Sequence, residues 1–142
     1  MRSSLPWILA ALLIGGVSCS RPAPRPTEKS SLEPVLGAVD VPVRDGTVKR
    51  GPVPVGGWAI AESSVRRVAL YVDKQFVGYG TMGANRPDIV KAYPAFPNTA
   101  TSGWNGIMDL SPFPEGEHQL VMQVETKAGN VHDLAPVPFK VQ

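Results

Sequence analysis

The side chains best suited to bind a ligand lie in one long segment, residues 83–102, and at its C-terminal flank. Aromatic rings offer flat faces to a sugar ring or a peptide, and charged or amide groups beside them add directional hydrogen bonds. Both kinds of side chain are present there, and we predict a binding loop formed by Arg86, Asp88, Tyr93, Phe96, Asn98 and Trp104.

The same segment also has a structural interpretation, which the close spacing of its aromatic and apolar positions favours. It is far longer than the two to six residues that usually connect two elements. A short helical turn is predicted over residues 87–92, because proline suits the first position of a helix. In this interpretation Ile89, Tyr93 and Phe96 plug the open end of the domain, and polar neighbours bond to the loop backbone.

Few other residues form a pattern with chemical meaning. His118 and His132 are the only histidines, and the sequence has no Cys/His cluster, so we expect half-exposed strand residues and no metal site or cofactor. Glu115 and Glu117 fall in a solvent turn, and no Ser, His and Asp are arranged as a triad. An enzyme is therefore not expected, and a small hydrolase is the least favoured alternative.

Cys19 is the only cysteine of the 142 residues, so it has no partner for an internal disulfide. It follows an apolar run, residues 7–18, which is typical of an export signal and shorter than the about 20 residues that span a bilayer. Residues 16–19, Gly-Val-Ser-Cys, resemble a bacterial lipoprotein processing box, with glycine in place of the usual leucine. The resemblance implies cleavage before Cys19 and its lipidation. Ordinary signal-peptidase cleavage nearby, giving a soluble periplasmic or secreted protein, is the alternative.

The chain divides into three predicted parts. Residues 1–18 form the signal peptide and residues 19–34 a lipid-anchored, proline-rich linker, which has almost nothing apolar to bury. Residues 35–142 form one domain of short apolar runs separated by Gly, Pro, Asn and Asp. This length supports a two-layer core without disulfides. The formal net charge of +2 does not indicate a nucleic-acid partner.

Strand-like runs recur along this domain with turn residues between them. Val68, Leu70 and Val72 alternate with more polar positions, which predicts a strand with one buried face. A tight hairpin turn is predicted at residues 73–75. The seven predicted strands cover residues 35–43, 53–62, 65–73, 76–82, 103–110, 118–126 and 131–141. Asn105-Gly106 is the one pair inside them that would also suit a turn.

Several fragments, in their order and spacing, resemble a bacterial immunoglobulin-like module of exported and cell-surface proteins. They include Gly57-Trp58-Ala59, Arg86-Pro87-Asp88, Tyr93-Pro94, Ser102-Gly103-Trp104 and Lys127-Ala128-Gly129-Asn130. The resemblance covers residues 51–142 and implies an all-β fold, an Ig-like antiparallel β-sandwich of about seven strands with the long loop 83–102. It implies no catalytic residues. The sequence departs from the family at Trp104, where phenylalanine is commoner.

These observations predict an exported, lipid-anchored Ig-like binding or adhesion module at the bacterial cell envelope. Its expected partners are the membrane, through the anchor, and an envelope protein or polysaccharide. The alternative is a structural component of an envelope assembly with no small ligand. Fold alone does not choose between them, because sandwiches serve many unrelated functions.

Overall fold

A computed structural model describes residues 33–142, and the predictions made for residues 1–32, including the signal peptide and Cys19, lie outside the described residues. The described strands are β1 (Val35–Val41), β2 (Thr47–Val48), β3 (Pro52–Ala61), β4 (Val65–Val72), β5 (Gln75–Ala84), β6 (Gly103–Asp109), β7 (Gly116–Thr126), β8 (Val131–Asp133) and β9 (Val137–Val141). Helix α1 (Pro87–Ala92) and a 3-10 turn (Thr99–Thr101) lie between β5 and β6. Within this part of the chain, no helix is long and apolar enough to cross a membrane.

The strands form one sheet that curls into two layers, in the order β1-β3-β6-β5-β4-β7-β9-β2, with β8 also paired to β7. Strand β5 belongs to both layers, because its first half pairs with β4 and its second half, from Thr81, pairs with β6. All pairings are antiparallel except that between β2 and β9. The predicted all-β, Ig-like sandwich is confirmed.

The core lies between the two layers and is built by alternation along the strands. Three residues of β4 are fully buried, as their spacing predicted: Val68, Leu70 and Val72. In the same layer, Val124 of β7 pairs with Val68 and Leu120 pairs with Val72. Each such side chain stabilises the fold by about 1.5–3 kcal/mol relative to an exposed position. The largest fully buried side chains also include Trp104, Phe139, Ile60, Met108, Leu110 and Met122.

The predicted hairpin between β4 and β5 is confirmed, and its turn type is now defined. Asp73 and Lys74 connect the paired residues Val72 and Gln75, and both have positive φ, 47° and 69°. Positive φ at both central positions defines a type I′ turn, whose twist matches that of the flanking strands. The Asp73 carboxylate supports this conformation by accepting the Gln119 N–H at 2.9 Å.

Two strand predictions are corrected by long-range packing, and one short strand was missed. The predicted last strand is two strands, β8 and β9, because the chain turns inward at Leu134, whose N–H donates to the Met122 carbonyl at 2.9 Å. The first strand ends at Val41 instead of residue 43. Strand β2 was not predicted, because two residues carry no periodic signal. Asn105-Gly106 lies inside β6 and makes no turn, since both residues pair with β3.

The predicted linker, residues 19–34, is too long at its C-terminal end, because Glu33 belongs to the folded domain. Its carboxylate accepts hydrogen bonds from the Ser63 N–H and hydroxyl, both at 2.7 Å, and from the Asn130 amide at 3.0 Å. Burial alone would raise the pKa of Glu33, but hydrogen bonds from Thr126, Ser63 and Asn130 outweigh it and lower that pKa to about 2. Glu33 therefore fastens the start of β1 to two turns.

The lowered pKa of Glu33 predicts a loss of stability in acid. A carboxyl group whose folded pKa is depressed stabilises the fold above its ordinary pKa of 4.5, and this contribution disappears as the pH falls toward 2. We expect Glu33→Gln to lower the free energy of unfolding by about 1–2 kcal/mol at neutral pH, allowing for partial solvent screening. Urea unfolding at a series of pH values measures this. Glu115→Gln, in an exposed turn, is the control, and an equal pH profile for wild type and Glu33→Gln would contradict the prediction.

Candidate functional site

Arg86 and Asp88 hold the predicted binding loop to the rest of the domain. The guanidinium donates Nε and Nη2 to the Asp88 carboxylate, at 3.0 and 2.7 Å, and Nη1 to Asp40 on β1 at 2.6 Å. These hydrogen bonds raise the pKa of Arg86, and the guanidinium lowers the pKa of Asp88 to about 2. Because both charges already have partners, they position the helix α1 at the end of β1.

The aromatic residues of the same loop pack on each other and on the sheet. The ring centroid of Tyr93 lies 5.5 Å from that of Trp58 on β3 and 6.2 Å from that of Phe96. Ile89, on the inner side of α1, is buried. This packing favours the structural interpretation, in which the loop closes one end of the sandwich.

Asn98 and Trp104 complete the predicted set, but they lie in different environments. Asn98 has a left-handed conformation, with φ 57°, and its amide donates to the Ser64 hydroxyl at 2.7 Å. Trp104 is only 1% exposed, because β6 begins at Gly103 and directs the indole between the layers, over Gly80. Trp104 cannot offer a ring face to a ligand, and its prediction as a binding residue is corrected.

The packing of Tyr93 predicts the effect of removing it. Tyr93→Ala is expected to lower the free energy of unfolding by about 1–2 kcal/mol, less than for a fully buried aromatic residue, because the ring is partly exposed. Thermal or urea unfolding measures this, with Val90→Ala on the exposed side of α1 as the control. A variant as stable as wild type that no longer binds envelope material would restore the loop as the binding site.

A second candidate site, which sequence analysis missed, lies on the outer side of β4 and β5. Tyr71, Phe76 and Tyr79 form a row, called the aromatic face below, with ring centroids 5.7 Å apart for Tyr71 and Phe76 and 4.8 Å apart for Phe76 and Tyr79. Phe76 is 51% and Tyr79 53% exposed. Large apolar rings grouped at such exposure are typical of a binding surface.

A β-bulge creates this arrangement. Residues three apart in a regular strand point to opposite sides, so Phe76 and Tyr79 would not share a side. The register between β4 and β5 shifts, however: Leu70 pairs with Gly78, but Tyr71 pairs with Phe76. The extra residue of the bulge returns both rings to the outer side. The sequence contains one signal for it, a glycine inside a strand, and Gly78 indeed has φ 149°.

A pocket of about 220 Å³ adjoins the aromatic face and is called the side pocket below. It is lined by Tyr71, Lys74, Val121, Gln123 and Asp133. The Gln123 amide donates to the Asp133 carboxylate at 2.9 Å, which fixes both planar polar groups at the pocket wall. Among residues 33–142, no carboxylate lies within 4 Å of the Lys74 amine.

Two arginines border the aromatic face on its other side. The Arg67 guanidinium lies 5.1 Å from the centre of the Tyr79 ring, which is cation–π geometry. Arg67 also pairs with Glu125 at 2.5 Å, and Arg66 pairs with the same carboxylate at 3.6 Å. One acidic group therefore serves two cations, and this border is positively charged.

His118 was predicted to be half exposed, but it is buried, because its strand alternation directs it into the core against Phe139. Its Nδ1 lies 2.5 Å from the Asp73 carboxylate and its Nε2 2.7 Å from the Pro114 carbonyl oxygen. Both partners are acceptors, so the arrangement favours the protonated ring, in which both nitrogens donate. Burial lowers the pKa of His118. The two hydrogen bonds and the negative charge of Asp73 raise it by more, so the net effect is an increase. The pair stabilises the hairpin that carries Lys74.

The described residues do not gather three or more His, Cys, Asp or Glu side chains that could hold a metal ion. The Nε2 atom of His132 is buried and has no hydrogen-bond partner among these residues. Neither histidine lies at the aromatic face, so this candidate site consists of rings, one amine and the Gln123–Asp133 pair.

Comparison with known proteins defines the class of fold. No family model and no curated protein matches the sequence. An endo-β-1,4-mannanase from Thermotoga petrophila superposes with a TM-score of 0.54 at 13% identity, covering 77% of this chain and 20% of that chain. Fibronectin(III)-like modules of Clostridium thermocellum CbhA superpose with a TM-score of 0.50 at 13% identity, covering 75% and 46%. The chain spans less than half the length of either neighbour, and its fold is an Ig-like, fibronectin(III)-like β-sandwich.

Proposed function

We propose that this protein is an exported, lipid-anchored binding module of the bacterial cell envelope, and that it binds its ligand through the aromatic face and the side pocket. The observation that carries this proposal is the row of three rings that the bulge turns to the outer side of the sheet. Burying these rings against a ligand would recover the apolar contact that they lack in the isolated domain.

The position of the aromatic face suits an anchored module. Glu33 and Asn98 both contact the β3–β4 turn, through Ser63 and Ser64, at the end where the chain enters the domain. Strands β4, β5 and β7 run along the length of the domain, so the aromatic face lies on its side. The aromatic face is therefore a separate surface from the contacts that Glu33 makes at the start of the domain.

Retention on an insoluble envelope preparation tests the binding surface. We expect the double variant Phe76→Ser and Tyr79→Ser to bind at least about tenfold more weakly than wild type, since each ring contributes on the order of 1 kcal/mol. Val43→Ser is the matched control, because Val43 is an apolar side chain 64% exposed in the connection after β1, which does not pair with β4 or β5. Equal retention of the double variant and wild type would contradict the proposal.

The anchor is tested separately by mass spectrometry of the mature N-terminus. The proposal predicts an N-terminal peptide that begins at a modified Cys19 and carries acyl chains. More than one chain is needed for stable anchoring. An unmodified thiol, or a mature chain that begins after Cys19, would contradict lipid anchoring while leaving the binding surface unaffected.

A further inference from the structure

We infer that the ligand of the aromatic face is a polysaccharide that carries carboxylate groups, with its sugar rings packed on Tyr71, Phe76 and Tyr79 and a carboxylate bound by Lys74. This inference rests on the proposed function and names its ligand class. It combines three features of the site: exposed tilted rings, planar polar groups beside them, and one amine, that of Lys74, with no acidic partner among the described residues.

The rings and the pocket together fit a sugar unit. A pyranose has C–H faces, which are attracted to the electron-rich face of an aromatic ring, and hydroxyl groups around its edge. Neighbouring rings of the aromatic face meet at interplanar angles of 66° and 60°, so they form notches instead of one flat plane. Gln123 and Asp133 stand at the wall of the side pocket, where they can bond hydroxyl groups. At about 220 Å³ the pocket is smaller than a site for a drug-sized ligand, which suits one sugar unit of a chain.

The charges beside the rings favour an acidic chain over a neutral one. Lys74 lines the pocket from a turn whose conformation the Asp73–His118 pair fixes, so its backbone is held in place. The acidic group in the pocket, Asp133, accepts from Gln123 and makes no ion pair with Lys74 within 4 Å, so among residues 33–142 the amine has no acidic partner. At the opposite border Arg66 and Arg67 share one carboxylate, which leaves a surplus of positive charge there too. A carboxylate on the ligand would complement both.

Binding to polygalacturonate and to its methyl ester tests the inference, because the two polymers have the same rings and differ in charge. The full chain, purified in detergent, should bind polygalacturonate several-fold more tightly than the ester, and added salt should reduce the difference. Lys74→Met should weaken binding to polygalacturonate about 2- to 5-fold and leave binding to the ester unchanged. Tyr79→Ser should weaken binding to both polymers by about fivefold. Lys91→Met, on the exposed side of α1, is the matched charge control.

The outcomes separate this inference from the proposal on which it rests. Equal binding of both polymers, or a Lys74→Met variant that binds polygalacturonate as wild type does, would overturn the role of charge. Failure to bind polygalacturonate, alginate and hyaluronate, while envelope retention still depends on Phe76 and Tyr79, would overturn the polysaccharide and leave the proposed function standing. Envelope retention that stays the same when Phe76 and Tyr79 are both replaced would overturn the proposed function itself.

Discussion

Replacing Trp104 by alanine is expected to lower the free energy of unfolding by about 3–5 kcal/mol, a large share of the about 5–15 kcal/mol by which a domain is ordinarily stable. The indole is 1% exposed and packs over Gly80, where an added Cβ would lie 2.7 Å from the indole Cε3. The space left by the side chain has rigid walls, since strands on both sides are paired. The loss should therefore include a cavity term as well as the lost burial.

Urea unfolding measures this effect, and Trp104→Phe is the informative companion. Phenylalanine fills most of the space and removes an indole N–H that has no hydrogen-bond partner among the described residues, so we expect it to cost much less than alanine. A stable, folded Trp104→Ala variant with lost envelope binding would contradict this assignment and return Trp104 to the binding site.

Replacing Gly57 by alanine is expected to lower the free energy of unfolding by at least about 2 kcal/mol, because the backbone of β1 leaves no room for a side chain. An added Cβ would lie 2.0 Å from the Ala38 carbonyl oxygen and 3.0 Å from the Val39 Cα. Backbone atoms of a paired strand cannot rotate away as a side chain can. The substitution must therefore separate β1 from β3, whose pairing includes Val39 with Gly57.

Gly56→Ala is the matched control for this effect. Its added Cβ would come no closer than 3.3 Å, to the Trp104 carbonyl oxygen, so a small adjustment suffices and a smaller loss is expected. Thermal unfolding of the two variants side by side makes the comparison. Equal stability of Gly57→Ala and wild type would mean that β1 does not pair as described.

Local signals in the sequence predicted the elements that depend on neighbouring residues. The alternation of Val68, Leu70 and Val72 identified β4 and its buried side, since a strand face has a period of two. Proline at residue 87 placed the start of α1 correctly, because its fixed φ suits that position. The hairpin at Asp73 and Lys74 was also predicted, although its turn type needed the φ angles.

Features that depend on distant parts of the chain were not predicted. Burial of Trp104 requires the second layer, and the contacts of Glu33 join residues 30 and 97 positions apart. The aromatic face was missed because one bulge changes which residues share a side, and a period of two cannot reveal it. The composition of the loop 83–102 suggested a binding site. Its polar groups instead form hydrogen bonds within the domain, and these contacts cannot be seen in the sequence.

Hydroxyl-radical footprinting of the full chain, free and bound to an envelope preparation, tests the central claim most directly. The reagent oxidises exposed aromatic side chains, and mass spectrometry locates the products. Binding through the aromatic face predicts strong protection of Phe76 and Tyr79, with Tyr93 and Phe96 of the loop oxidised as in the free protein. Protection of Tyr93 and Phe96, with Phe76 and Tyr79 unchanged, would contradict the claim.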